Sequence, residues 1–167
     1  MVKKPDPLDQ LIDIDISNQR LRLKAGQRTL MDAPVSTGLK GAGEVMDSER
    51  TPRGWHIVCE KIGEGAPMNA VFIGRRSTGE LYTPELGREH PGRDWILTRI
   101  LWLSGTESGR NHRGNVDSRE RYIYIHGCPA DVGIGSPGSR GCIRMRNEQI
   151  IELFNRVRVG TRVFIHE

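Results

Sequence analysis

Three cysteines in 167 residues are too few, and odd in number, for a disulfide framework, so the chain must stand on a hydrophobic core. No C-x-x-C and no H-E-x-x-H occurs, which removes the common zinc patterns, and neither a metal nor a cofactor is expected. Twenty glycines invite a phosphate-loop reading, yet no Walker sequence exists. No apolar run approaches the ~20 residues of a membrane span. The opening Met1–Pro7 is polar and lacks the ~7–15-residue apolar core of a secretory signal; no cysteine near the start offers a lipid site. That opening predicts a cytosolic protein, with the periplasm or cell wall as the alternative if the N-terminus is incomplete. The net charge of +4 is spread among interleaved acids and bases, which predicts a mixed solvated surface rather than a nucleic-acid partner.

What is present predicts one mainly β domain, 1–167, with long loops. Ile12, Ile14 and Ile16 alternate with Asp13 and Asp15; Leu21 and Leu23 alternate with Arg22 and Lys24; a third strand covers about Thr29 to Ser36. Trp55 to Lys61, Ala70 to Gly74, Ile96 to Leu103, Arg121 to His126 and Val163 to Ile165 read as further strands. Ser77 to Gly92, broken by Gly79, Pro84, Gly87, Pro91 and Gly92, reads as an irregular connection. One helix is predicted, from Ile150, Leu153, Phe154 and Val157 at helical spacing, with Asn147 as its N-cap. No repeat or domain boundary is visible.

The chemistry concentrates in two short segments, Ile125-His126-Gly127-Cys128 and Ser139-Arg140-Gly141-Cys142-Ile143-Arg144. A thiol at Cys142 is a nucleophile once deprotonated, and His126, at a strand end, is the base that takes its proton, giving an ion pair. Gly141 leaves room beside the nucleophile, so that the Gly141 and Cys142 amides can face a developing oxyanion. Ser139 either orients His126 or braces the loop. Arg144, two residues beyond Cys142, falls on the same side of an extended segment. It either clamps a substrate carboxylate or braces the loop through backbone carbonyls, and both readings stay open. Cys59 is expected to pack at a strand end; Cys128 and Cys142 are expected as free thiols, with Cys128 able to approach Cys142. His56, His90, His112 and His166 have no comparable company and are expected at the surface or in strands.

These segments resemble the L,D-transpeptidase (YkuD-type) catalytic domain family, whose pattern is His-Gly followed by [Ser/Thr]-His-Gly-Cys. Val35-Ser36-Thr37-Gly38 and Thr51-Pro52-Arg53-Gly54 match further motifs in the family's order. The resemblance implies a YkuD-like β-sandwich or barrel of mixed sheets with one principal C-terminal helix. It implies Cys142, His126, Ser139 and Gly141 as catalytic, and Arg144, Arg140 and Gly127 as substrate-binding. The implied reaction is cleavage of the bond between a diamino acid and the terminal D-Ala of a peptidoglycan stem tetrapeptide, through a thioester on Cys142. With a cytosolic location, the expected acceptor is water and the partners are soluble stem peptides or muropeptides. The alternatives are an exported crosslinking enzyme and an inactive domain that binds wall fragments. Three positions depart from the pattern: Arg140 replaces a common His, His56 an aromatic, and Cys128 a common Thr.

Overall fold

The computed structural model describes residues 9–167; the polar opening, on which the expectation about export rests, lies outside the described residues. Three strands, β1 (Gln10–Asp15), β2 (Arg20–Ala25) and β3 (Arg28–Pro34), form an antiparallel meander. Their alternation sends Ile12, Ile14, Leu21 and Leu23 to full burial. A C-terminal strand, β10 (Arg162–His166), lies parallel to β1, and β4 (Gly54–Ile62) lies antiparallel to β10.

The ten-residue β7 (Ile96–Gly105) is the hub. It pairs with β4 on one edge and with the short β8 (Tyr124–Gly127) on the other, while its start also pairs with β5 (Ala70–Ile73). Strand β6 (Arg76–Leu81) closes a hairpin with β5, and β9 (Ile143–Met145) runs parallel to β8. The sheet order is β3-β2-β1-β10-β4-β7-β5-β6, with β8 and β9 branching from β7. The fold is mostly β, a mixed sheet with one main helix near the C-terminus.

Alternation along β7 separates two clusters. Leu101 and Leu103 join a large core with Ile125, Ile143, Met145 and Phe154. Ile100 and Trp102 face a smaller cluster with Phe72 and Tyr124, against which Cys142 packs. Each fully buried aliphatic side chain contributes about 1.5–3 kcal/mol. The helix α2 (Asn147–Arg156) lays Ile150, Leu153 and Phe154 on the large core, so its predicted apolar face is the buried one.

Four local expectations are corrected. The segment 77–92 is not irregular: it holds most of β6 and a short helix α1 (Pro84–Glu89), begun by Thr83 as N-cap and by Pro84. Arg121 to Ile123 are not strand, because Tyr122 turns the chain at a φ of 56° and β8 begins only at Tyr124. Residues 143–145 form a strand that three residues were too short to announce. Asn147 is not the N-cap, which is Arg146 with no side-chain capping bond. Its buried amide instead donates to Cys128 O (2.9 Å) and Asn69 Oδ1 (3.1 Å), and its Oδ1 accepts from Thr98 Oγ1 (2.7 Å).

Candidate active site

Parallel pairing of β8 with β9 sets His126 beside Arg144 and Ile125 beside Ile143. Ile125 and Ile143 enter the core, so the residues flanking them, Tyr124 and His126 on β8 and, across from these, Cys142 just before β9 and Arg144 within it, share the opposite face. Cys142, directly before β9, and His126, on β8, both line one cavity of about 520 Å³.

His126 is buried at the cavity floor, and its Nδ1 meets Gly127 O at 2.6 Å. A carbonyl only accepts, so Nδ1 carries the proton and Nε2 presents a lone pair, the tautomer a base requires. Burial lowers the His126 pKa and keeps the ring neutral. Half-buried Cys142 donates its S–H to Tyr122 O (3.3 Å), and its sulfur accepts the Tyr124 N–H (3.4 Å). Burial pushes this thiol up to about 12. The expected ion pair is not the arrangement seen: burial disfavours both charged forms, and the thiol proton is directed at Tyr122 O, not at His126.

The nucleophile's loop is fixed by a chain of hydrogen bonds. Ser139 Oγ donates to Cys142 O and accepts from Gly141 N–H (3.1 Å), so Ser139 braces the loop and does not orient His126. The same bond occupies the Gly141 amide, which is not aimed at an oxyanion; the Cys142 amide remains the candidate donor. Thr51 Oγ1 donates to Gly141 O (2.9 Å) and accepts from Gly38 N–H (2.8 Å), while Thr37 O receives both Gly138 and Ser139 N–H at 2.9 Å. Gly141 has a φ of +121°, and a Cβ there would lie 3.0 Å from Arg50 O, so only glycine fits before this cysteine.

Arg144 engages Gly138 O (3.0 Å) and Asp94 Oδ1 (3.2 Å), the bracing geometry, while still lining the cavity. Arg140 is exposed on the cavity rim. Gly127 does not line the cavity: Leu97 O would sit 2.7 Å from a Cβ there, and its own carbonyl orients His126. Its expected contact with substrate is thereby replaced by a role behind the base. Cys128 is buried, its thiol directed at Met145 O (3.5 Å) and pushed by burial to about 11. All three cysteines are free. Cys59 lies inside β4 at a register shift, not at its end. His56 lies in strand β4, as one of the two expectations had it; it is buried, bonded to Gly54 O (3.0 Å) and Ser118 Oγ (2.8 Å), and takes the aromatic's place as a satisfied polar core residue. Among the described residues no group of three or more His, Cys, Asp or Glu converges to hold a metal, and no helix is long and apolar enough to cross a membrane.

Residues 9–165 match the L,D-transpeptidase catalytic domain (YkuD). The chain belongs to this family. Over 163 residues it is 31% identical to the probable L,D-transpeptidase ErfK/SrfK of Salmonella typhimurium and 56% identical to the protein of that name from Escherichia coli, covering 96% of this chain and 45% of each relative. The chain thus spans about half the length of these curated relatives. Two solved structures share its fold: an L,D-transpeptidase from Mycobacterium smegmatis (TM-score 0.56, 19% identity, 95% of this chain and 59% of that one) and L,D-transpeptidase 3 from Mycobacterium tuberculosis (TM-score 0.57, 17%, 95% and 61%).

For this YkuD domain, sequence reasoning missed four cavity-lining groups: Asp94, Arg121, Arg75 and the tyrosines 122 and 124 taken together. Arg121 donates to Arg50 O (2.6 Å), Ser48 Oγ and Gly43 O, pinning residues 43–50 to the turn that precedes β8. The signal for the tyrosines lay in their place just before His126; Asp94 and Arg75 arrive from distant loops and carried none.

Proposed function

We propose that this YkuD domain acts on peptidoglycan stem tetrapeptides, breaking the bond between the diamino acid and the terminal D-Ala through a thioester on Cys142. The observation that carries the proposal is the shared face: Cys142 and a correctly protonated His126 open into one cavity. In acylation, His126 Nε2 takes the thiol proton as Sγ bonds to the carbonyl carbon. The C–N bond then breaks, and the proton passes to the departing D-Ala nitrogen. The Cys142 amide is the proposed oxyanion donor. Arg140, with no hydrogen bond or ion pair to another described residue, is the proposed partner for a substrate carboxylate.

In deacylation His126 removes a proton from the acceptor, the acceptor bonds to the carbonyl carbon, and the C–S bond breaks as His126 returns the proton to the departing sulfur. Water is the proposed acceptor, because it needs nothing beyond the open cavity; this is L,D-carboxypeptidase chemistry, and soluble muropeptides in the cytosol are its matching substrates. Transfer to an amine is a second reading, favoured by a hollow of about 220 Å³ that shares Arg121, Tyr122 and Arg140 with the main cavity and carries Asp47, Glu49 and Glu120. Incubation with disaccharide tetrapeptide, with and without an added D-amino acid, tests both. Tripeptide as the main product supports hydrolysis, exchange of D-Ala supports transfer, and no release of D-Ala by wild type defeats the proposal.

A further inference from the structure

Strands β5 and β6 close through a two-residue turn, since Ile73 pairs with Arg76 across Gly74 and Arg75. Both turn residues are left-handed, with φ of 55° and 65°, the geometry that glycine, asparagine and aspartate favour. An arginine there carries backbone strain that asparagine would relieve, so its side chain calls for a reason.

That side chain reaches the wall of the main cavity. Its guanidinium lies 4.6 Å from the Trp102 ring centre and 4.9 Å from that of Tyr122, and Nη1 donates to Tyr124 Oη at 3.0 Å. The same two tyrosines bracket the nucleophile, because Tyr122 O accepts the Cys142 thiol proton and Tyr124 N–H donates to its sulfur. Tyr122 is itself left-handed, and the residue is 51% exposed. Its ring lies 6.1 Å from that of Trp102, centre to centre, with the Arg75 cation over it.

We propose that Arg75 is a positioning residue for the nucleophile: one guanidinium holds Tyr122 and Tyr124 together, and their main chains aim the sulfur. The hairpin's tip strain is then the cost of placing a cation at that point. The kinetic consequence rests on Cys142 being the nucleophile proposed above; the consequence for thiol reactivity stands without it.

The test compares wild type with Arg75→Asn, which suits the turn, and Arg75→Lys, which keeps a cation over the rings. Three quantities are measured: the melting temperature, the rate of Cys142 alkylation by iodoacetamide at pH 7, and kcat and KM for D-Ala release. Peptide mapping by mass spectrometry separates Cys142 from Cys59 and Cys128. Arg75→Asn should melt at or above the wild-type temperature, yet alkylate about 5-fold more slowly and lose about 10-fold in kcat with KM within about twofold. Arg75→Lys should recover part of both losses. Unchanged or faster alkylation in Arg75→Asn, a loss confined to KM, or a loss that merely follows a lowered melting temperature would overturn the proposal. Should wild type release no D-Ala, the functional proposal fails alone, and the alkylation ratio still decides the role of Arg75.

Discussion

His126 and Cys142 both have their charged forms suppressed by burial, and the pH dependence of the domain follows from that. With Cys142 as nucleophile and His126 as base, as proposed, the active form has both groups neutral. Its acid limb is set by His126, whose pKa lies below the usual 6.5, and its alkaline limb by a thiol near 12. The expected kcat/KM profile is therefore level across neutral pH and falls only below pH 6.5. An alkaline inflection near the ordinary cysteine pKa of about 8.5 would refute this picture of the resting site. His56 makes a separate prediction about stability. Burial depresses its pKa from 6.5 to about 4, so the unfolded chain binds its proton first as pH falls. The stability it contributes is complete above pH 6.5, shrinks between 6.5 and 4, and is gone below 4; the shift corresponds to about 3 kcal/mol. Urea titrations at pH 7 and pH 4 should differ by that much more in wild type than in His56→Gln. Equal differences in the two proteins would show that His56 is not a proton sink on unfolding.

At the scale of elements, the strands that alternate over several residues were legible and the junctions were not. Ile12, Ile14, Leu21 and Leu23 announce β1 and β2 because each strand has one wet and one buried face. Strand β9 has three residues, too few for a period, and exists because the loop before it is tied to residues 36–38 and 51. Position 141 stood out in sequence as a glycine before a cysteine; that it needs a left-handed φ against Arg50 O depends on contacts from another loop. Asn147 shows the same limit more sharply. Its place at the start of a helix reads as a cap, whereas its buried amide joins α2 to β7 through Thr98 and to the end of β8 through Cys128 O. Replacement by Ala orphans these groups, each costing about 1–3 kcal/mol, so Asn147→Ala should lose about 2–4 kcal/mol in chemical denaturation. Because a Cβ at Gly127 would also touch Asn147, and Gly127 O orients His126, activity should fall in protein that remains folded. A loss under about 1 kcal/mol would mean that water or a neighbouring group restores the missing bonds.

The whole molecule carries a modest net charge of +4, yet its main cavity concentrates cations: Arg75, Arg121, Arg140 and Arg144 line it against the single carboxylate of Asp94. Three of these arginines are already engaged. Arg75 donates to Tyr124, Arg121 to three oxygens of the 43–50 segment, and Arg144 to Asp94 and Gly138. Arg140 is exposed and without such a partner among the described residues, and it borders the main cavity and two flanking hollows. In the role proposed for it, Arg140 draws in a ligand carboxylate through solvent, where salt competes. The screening length falls from about 10 Å at 0.1 M to about 3 Å at 1 M, so attraction at the rim should fade while contacts inside the cavity persist. For a stem tetrapeptide, KM should rise about 3-fold or more between 50 mM and 500 mM salt, with kcat nearly constant. Arg140→Ala should start from the higher KM and show a flattened dependence, because the partner that salt screens has been removed. If Arg140→Ala keeps the wild-type salt slope, the attraction comes from the engaged arginines instead, and the rim cation has no part in capturing substrate.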